Sequence, residues 1–176
     1  NEVDIRIFPK YDDAEIIKVG NPALRPQFTN AVELAYKKSW DDAYVFLAVF
    51  QRNSTATITR IASSLPNSQL IYAVFQNAGK SQQRGVEFIL NKKLLKKHNA
   101  QLSATVYDSR IDAFTVLNKY PSATIFSADA QQAISGNVKA NVSFHLKNNI
   151  DAQLTCTYWA PDLIPQGRIA SRFGVD

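Results

Sequence analysis

The stretch Asn137-Val138-Lys139-Ala140-Asn141-Val142-Ser143-Phe144-His145-Leu146 decides how this chain is read. Val138, Ala140, Val142, Phe144 and Leu146 alternate without a break with Asn137, Lys139, Asn141, Ser143 and His145. Successive side chains leave an extended backbone on opposite sides, so a period of two builds a strand with one apolar and one polar face.

The pattern repeats on both sides. Val86, Phe88 and Leu90 interleave with Gly85, Glu87, Ile89 and Asn91; Leu102, Ala104 and Val106 interleave with Gln101, Ser103, Thr105 and Tyr107. Ala152, Leu154, Cys156 and Tyr158 alternate with Asp151, Gln153, Thr155 and Thr157, and Val32, Leu34 and Tyr36 oppose Glu33 and Lys37. Residues 43–52 are apolar in both registers, so the pattern does not say which side faces out. Residues 168–175 read as a seventh strand, with Ile169, Phe173 and Val175 on one side and Arg168 and Arg172 on the other. Before residue 29, Pro9, Gly20, Pro22 and Pro26 break regular structure, and 1–28 reads as an irregular segment.

The connections separate a half-buried sheet in water from one in a membrane. Short links fall near 39–42, 95–99 and 147–149; long ones span roughly 53–83, 108–133 and 159–167. Short and long alternate, so every long link lies at one end, as in transmembrane barrels. All seven prolines fall outside the proposed strands, three within 1–28 and four in the long links, as a hydrogen-bonded ladder requires. Asn, Ser, Thr and Gln opposite the apolar face suit a watery lumen. Tyr36 and Trp40 near a short turn, with Tyr107, Tyr158 and Trp159 near long links, suit aromatic girdles at two interfaces. The expected fold is all-β, an antiparallel up-and-down meander of about seven strands over 29–176, cut from a transmembrane β-barrel.

Composition narrows the function. A formal charge of +5 is mild, and the Lys92, Lys93, Lys96, Lys97 cluster has no interleaved aromatic residues, which argues against nucleic acid. One cysteine, Cys156, excludes a disulfide framework and multi-cysteine zinc sites; it lies on an apolar face and reads as a small hydrophobe. His98 and His145 lack companions at metal or catalytic spacing. Asp12-Asp13 and Asp41-Asp42 read as solvated turn formers. No catalytic arrangement, metal site or cofactor is expected, and the chain does not read as an enzyme. It begins with Asn and contains no Met, so it reads as an internal segment.

Gly20-Asn21-Pro22-Ala23-Leu24-Arg25-Pro26-Gln27 resembles the GNPxLxPE segment of TonB-dependent outer-membrane receptors of the Bacteroidota type. Thr29–Lys38 and Ala48–Asn53 look like the next two strands of that family. Asn77-Ala78-Gly79-Lys80 followed by Arg84-Gly85-Val86-Glu87 resembles its NxGxxxxxGxE element. Gly136–Asn141 and Pro165–Gly167 are similar as well, so the likeness runs from about residue 16 to the end. Gln27 stands where an acid is usual, and Ala78 where Ile or Val is commoner.

The resemblance implies a bacterial outer-membrane barrel that takes up a small nutrient. It implies a plug domain and an energising TonB-type protein engaged through an N-terminal motif; plug and closing strands are expected to lie outside this chain. Partners would be outer-membrane lipid and the rest of its own barrel and plug, with no nucleic acid. The isolated segment is expected to self-associate through its edges and apolar face. Ligand contact is expected from Tyr107, Asp108, Arg110, Asp112 and Trp159, at long-link ends, where aromatic and charged groups could hold a solute. The alternatives are a soluble β-sandwich that binds carbohydrate and a surface adhesin or passive porin.

Overall fold

The computed structural model describes residues 10–11, 15–64, 69–94, 98–146 and 150–176. Their strands are β1 (Lys10–Tyr11), β2 (Ile16–Val19), β3 (Phe28–Ser39), β4 (Ala43–Thr55), β5 (Ile58–Ser64), β6 (Ile71–Asn77), β7 (Lys80–Leu94) and β8 (His98–Ile111). They continue with β9 (Phe114–Asn118), β10 (Thr124–Ala128), β11 (Gln131–His145), β12 (Asp151–Trp159), β13 (Asp162–Ile164), β14 (Gly167–Ile169) and β15 (Arg172–Val175). Pro9, the Asp12-Asp13 pair, Pro66, Lys96, Lys97 and the turn at 147–149 lie outside the described residues.

Seven of these strands form one antiparallel sheet, the wall, in the order β3-β4-β7-β8-β11-β12-β15. Each wall strand pairs with the next wall strand along the chain, which is the expected meander. Directly paired residues share a face, so the register can be followed across the whole sheet. Tyr36, Leu47, Phe88, Ala104, Val138, Tyr158 and Phe173 make one unbroken apolar row over seven strands. The row beside it runs Leu34, Val49, Val86, Val106 and Gly136. The register also settles 43–52: Val45, Leu47 and Val49 join the apolar face, and Phe46, Ala48 and Phe50 join the other.

Nothing described covers the apolar face. Leu34 is 74% exposed, and Val106, Ile134, Tyr158 and Phe173 are exposed with it. In water each such side chain forgoes about 1.5–3 kcal/mol of burial, and a patch this continuous is not a soluble surface. A soluble sandwich would seat a second sheet here, and none of the described strands does so. From Ile134 on β11 to Leu146, the residue just after that strand, the face runs about 40 Å at ~3.3 Å per residue; a tilt near 40° leaves about 30 Å, the hydrocarbon thickness.

Both ends of the wall are stepped. Ser39, the last residue of β3, is in register with Asn141 and Thr155, yet β11 and β12 continue four residues further, to His145 and Asp151. At the other end β8 and β11 reach Ile111 and Gln131, while β12 stops at Trp159, opposite Asn137. This is the stagger of tilted barrel strands. It places Tyr36 near a short-turn end and Tyr158 near a long-link end although they share one row.

The three long links are bent continuations of the wall hairpins, and together they form a cap. Thr55 pairs with Lys80 in the wall, and beyond a two-residue corner on each strand Ile58 pairs with Asn77, with no slip in register. The β8–β11 hairpin passes in the same way into β9–β10, and β12–β15 into β13–β14. At the first corner Ala56 and Gly79 both have positive φ, 52° and 56°, which turns the hairpin away from the wall. The seventh wall strand is therefore only Arg172–Val175. Phe173 and Val175 stand on the apolar face as expected, but Arg168 and Ile169 belong to β14, beyond the corner.

The cap has the closed core that the wall lacks. Ile61, Ala78, Ile111, Phe114 and Leu163 are buried together, with Val116, Phe126, Ala128 and Ala133 packed around them. The phenyl rings of Phe114 and Phe126 lie 5.9 Å apart. Within 1–28, read as irregular, Ile16–Val19 forms β2, parallel to β6, and Ile17, Val19 and Val74 make a second small core.

Candidate functional site on the inner wall

The face opposite the apolar one carries the polar chemistry. Its central row reads Ala35, Ala48, Glu87, Thr105, Asn137, Trp159 and Arg172. The next row toward the short turns adds Lys37, Ser103, Lys139 and Thr157. The Arg172 guanidinium lies 5.4 Å from the Trp159 ring centroid, a cation–π pair that leaves donors free at its edges. Glu87 makes no ion pair among the described residues. An aromatic face, a guanidinium, an ammonium, a carboxylate and several neutral hydrogen-bonding groups thus share one surface, which can orient a polar solute.

Toward the cap the inner face closes. Phe50, Gly85 and Tyr107 are paired neighbours. A Cβ at Gly85 would fall 2.4 Å from the Val106 carbonyl oxygen and 2.6 Å from the Tyr107 Cβ, so only glycine fits between the rings. The Tyr107 hydroxyl donates to Asp162 Oδ2 at 2.8 Å, which holds β13 over the inner faces of β8 and β11. The third hairpin therefore folds inward, over the lumenal side.

The five residues expected at ligand do not form one cluster. Tyr107 and Trp159 are on the inner face. Asp108 and Arg110 point to the outer one, at the cap-side edge of the apolar band, where Asp108 pairs with Ile134. Asp108 is bound by Arg84 at 3.0 Å and by Gln132, whose amide donates to both carboxylate oxygens at 2.8 and 3.0 Å. Arg110 pairs with Asp112 at 3.1 Å, and the Asp112 amide closes the corner onto the Lys80 carbonyl. Arg172, Glu87 and Asn137 were not singled out in the sequence; strand parity together with the Trp159 pairing is the signal that finds them.

The Gly20–Gln27 segment is a buckle between cap elements. The Asn21 side-chain amide donates to the Phe75 carbonyl at 3.0 Å and to Gln76 Oε1 at 3.1 Å. Gln76 donates to the Leu117 carbonyl and to Asn118 Oδ1, and Asn118 donates to Ser63. Gln76 and Asn118 are both buried, so each bond satisfies a group that has lost most of its contact with water. Asn77 exchanges bonds with the Arg25 backbone and donates to the Ala56 carbonyl. Gln27 Oε1 accepts from the Ile58 amide at 2.8 Å, a role that a carboxylate oxygen fills equally well.

Residues 1–176 match the outer membrane protein beta-barrel family. The chain belongs to that family. It is a protein of the bacterial outer membrane, and its apolar wall face is the surface such a barrel turns to lipid. Comparison with curated proteins finds no match.

Proposed function

We propose that this barrel segment forms part of the wall of a TonB-dependent receptor that takes up a small polar nutrient, and that it carries no catalytic role. The supporting observation is the pairing of a lipid-type outer face with a polar inner face over which β13–β14 is folded and held by Tyr107 and Asp162. The resemblance of the Gly20–Gln27 and Asn77–Glu87 segments to that receptor family supports the energised, plugged version. In this reading the short turns face the periplasm, the cap faces outward, further strands close the sheet between β3 and β15, and a plug fills the lumen. Trp159, Arg172, Glu87 and Asn137 line the solute path.

The test compares cells with and without the intact gene for uptake of a panel of iron chelates, corrinoids, oligosaccharides and short peptides, each with and without a protonophore. Uptake lost on deletion and equally lost on collapse of the proton gradient is expected. Gene-dependent uptake that survives the protonophore identifies a passive porin; surface adhesion lost with no change in any uptake identifies an adhesin.

A further inference from the structure

A cleft of about 520 Å³ opens in the cap, away from the inner wall, between residues 19–25, β6 and β9. Its size is that of a site for one small molecule. Its lining includes two cations, Arg25 and Lys119, and no carboxylate. Neither cation forms a salt bridge among the described residues. Leu117 and Tyr120 supply an apolar wall.

The amides in the lining are set in one sense. Asn21 spends both side-chain N–H groups on Phe75 and Gln76, Gln76 spends both on Leu117 and Asn118, and Asn77 spends both on Arg25 and Ala56. Each carbonyl oxygen accepts a single bond: Asn21 from the Ala23 amide, Gln76 from Asn21, and Asn77 from the Arg25 amide. An amide oxygen has two lone pairs, so each keeps one acceptor position. The lining therefore offers acceptors from its amides and positive charge from its basic residues. That combination suits a molecule carrying hydroxyl donors and an anionic group, with a C–H face to lay on Leu117 and Tyr120. Because the network holds these groups in place beforehand, little ordering is needed on binding.

We infer that this cleft binds a polyhydroxylated carboxylate, a sugar acid of one or two rings, through Arg25 and Lys119, with the Asn21–Gln76–Asn77 oxygens taking its hydroxyls. The inference stands independently of how, or whether, a solute crosses the barrel.

Calorimetric titration of the detergent-solubilised full-length protein with digalacturonate, and with the neutral galactose disaccharide of the same size, tests it. The acidic probe should bind at least tenfold more tightly than the neutral one and weaken with added salt. Arg25→Gln with Lys119→Gln should remove that preference, and Leu117→Ala, at an exposed position, should weaken the acidic probe several-fold. An unchanged unfolding transition in these surface variants separates lost binding from lost structure. Absence of binding by the acidic probe, equal binding of both probes, or full binding by the double variant overturns the inference.

Discussion

The wall and the cap are made from the same hairpins, with one register running through both, yet they keep their apolar side chains in opposite ways. Leu34 in the wall and Ile125 on β10 in the cap are each 74% exposed. Leu34 belongs to a continuous apolar sheet face, whereas Ile125 stands on the outside of a hairpin whose other side packs into the Phe114–Leu163 core. Exposure alone therefore does not identify the solvent. The arrangement does: a face that is apolar across seven strands is matched to lipid, and a closed cluster beneath polar neighbours is matched to water.

The largest effect that probes this contrast is expected in the cap. Phe114→Ala should cost about 3–5 kcal/mol of local stability by emptying a buried aromatic site. Hydrogen exchange should show β5, β6, β9 and β10 losing protection while the wall strands keep theirs; equal loss in the wall would mean that the two regions are one cooperative unit.

Charging the lipid face comes next. Leu34→Arg is expected to cost about 2–4 kcal/mol for folding into vesicles, the scale for a cation near the bilayer midplane. Ile125→Arg should stay within about 0.5 kcal/mol, as for an ordinary water-facing position. Similar costs for the two variants would break the distinction between wall and cap.

A smaller change is expected at the buckle. Asn21→Ala leaves the Gln76 oxygen and the Phe75 carbonyl without their partner, at about 1–3 kcal/mol, the scale for an unsatisfied buried group. Limited proteolysis should then cut the 19–27 segment faster, with the β9–β10 hairpin close behind. The smallest is Tyr107→Phe, which removes one bond to Asp162 and about 0.5–1.5 kcal/mol, so β13–β14 should exchange faster with no change in vesicle folding.

Much of the wall was legible because strand parity is a local property. The alternation at 137–146 named the outward side chains before any neighbour was known, and the register added only which strand supplies which row. Residues 43–52 show the limit: Val45 and Phe46 are equally apolar, and only the pairing to β7 separates them. The site was less legible. Tyr107 and Asp108 are consecutive, so on a strand they must diverge, but they were grouped as loop residues because the apolar pattern fades at residue 108. It fades there because the outer face turns polar at Arg84, Asp108 and Gln132, at the cap-side edge of the apolar band, and not because the strand ends.

Local pattern accounts for the two-faced strands, the prolines kept out of them and the short and long alternation of links, because each rests on backbone geometry within a few residues. Long-range packing settles that the long links are bent hairpins with their own core, that the third folds inward over the lumenal face, and that Asn21 reaches Phe75 and Gln76. Those outcomes depend on contacts between residues more than fifty positions apart, such as Asn21 with Gln76 and Tyr107 with Asp162, and no local pattern encodes which distant partner will complete a bond.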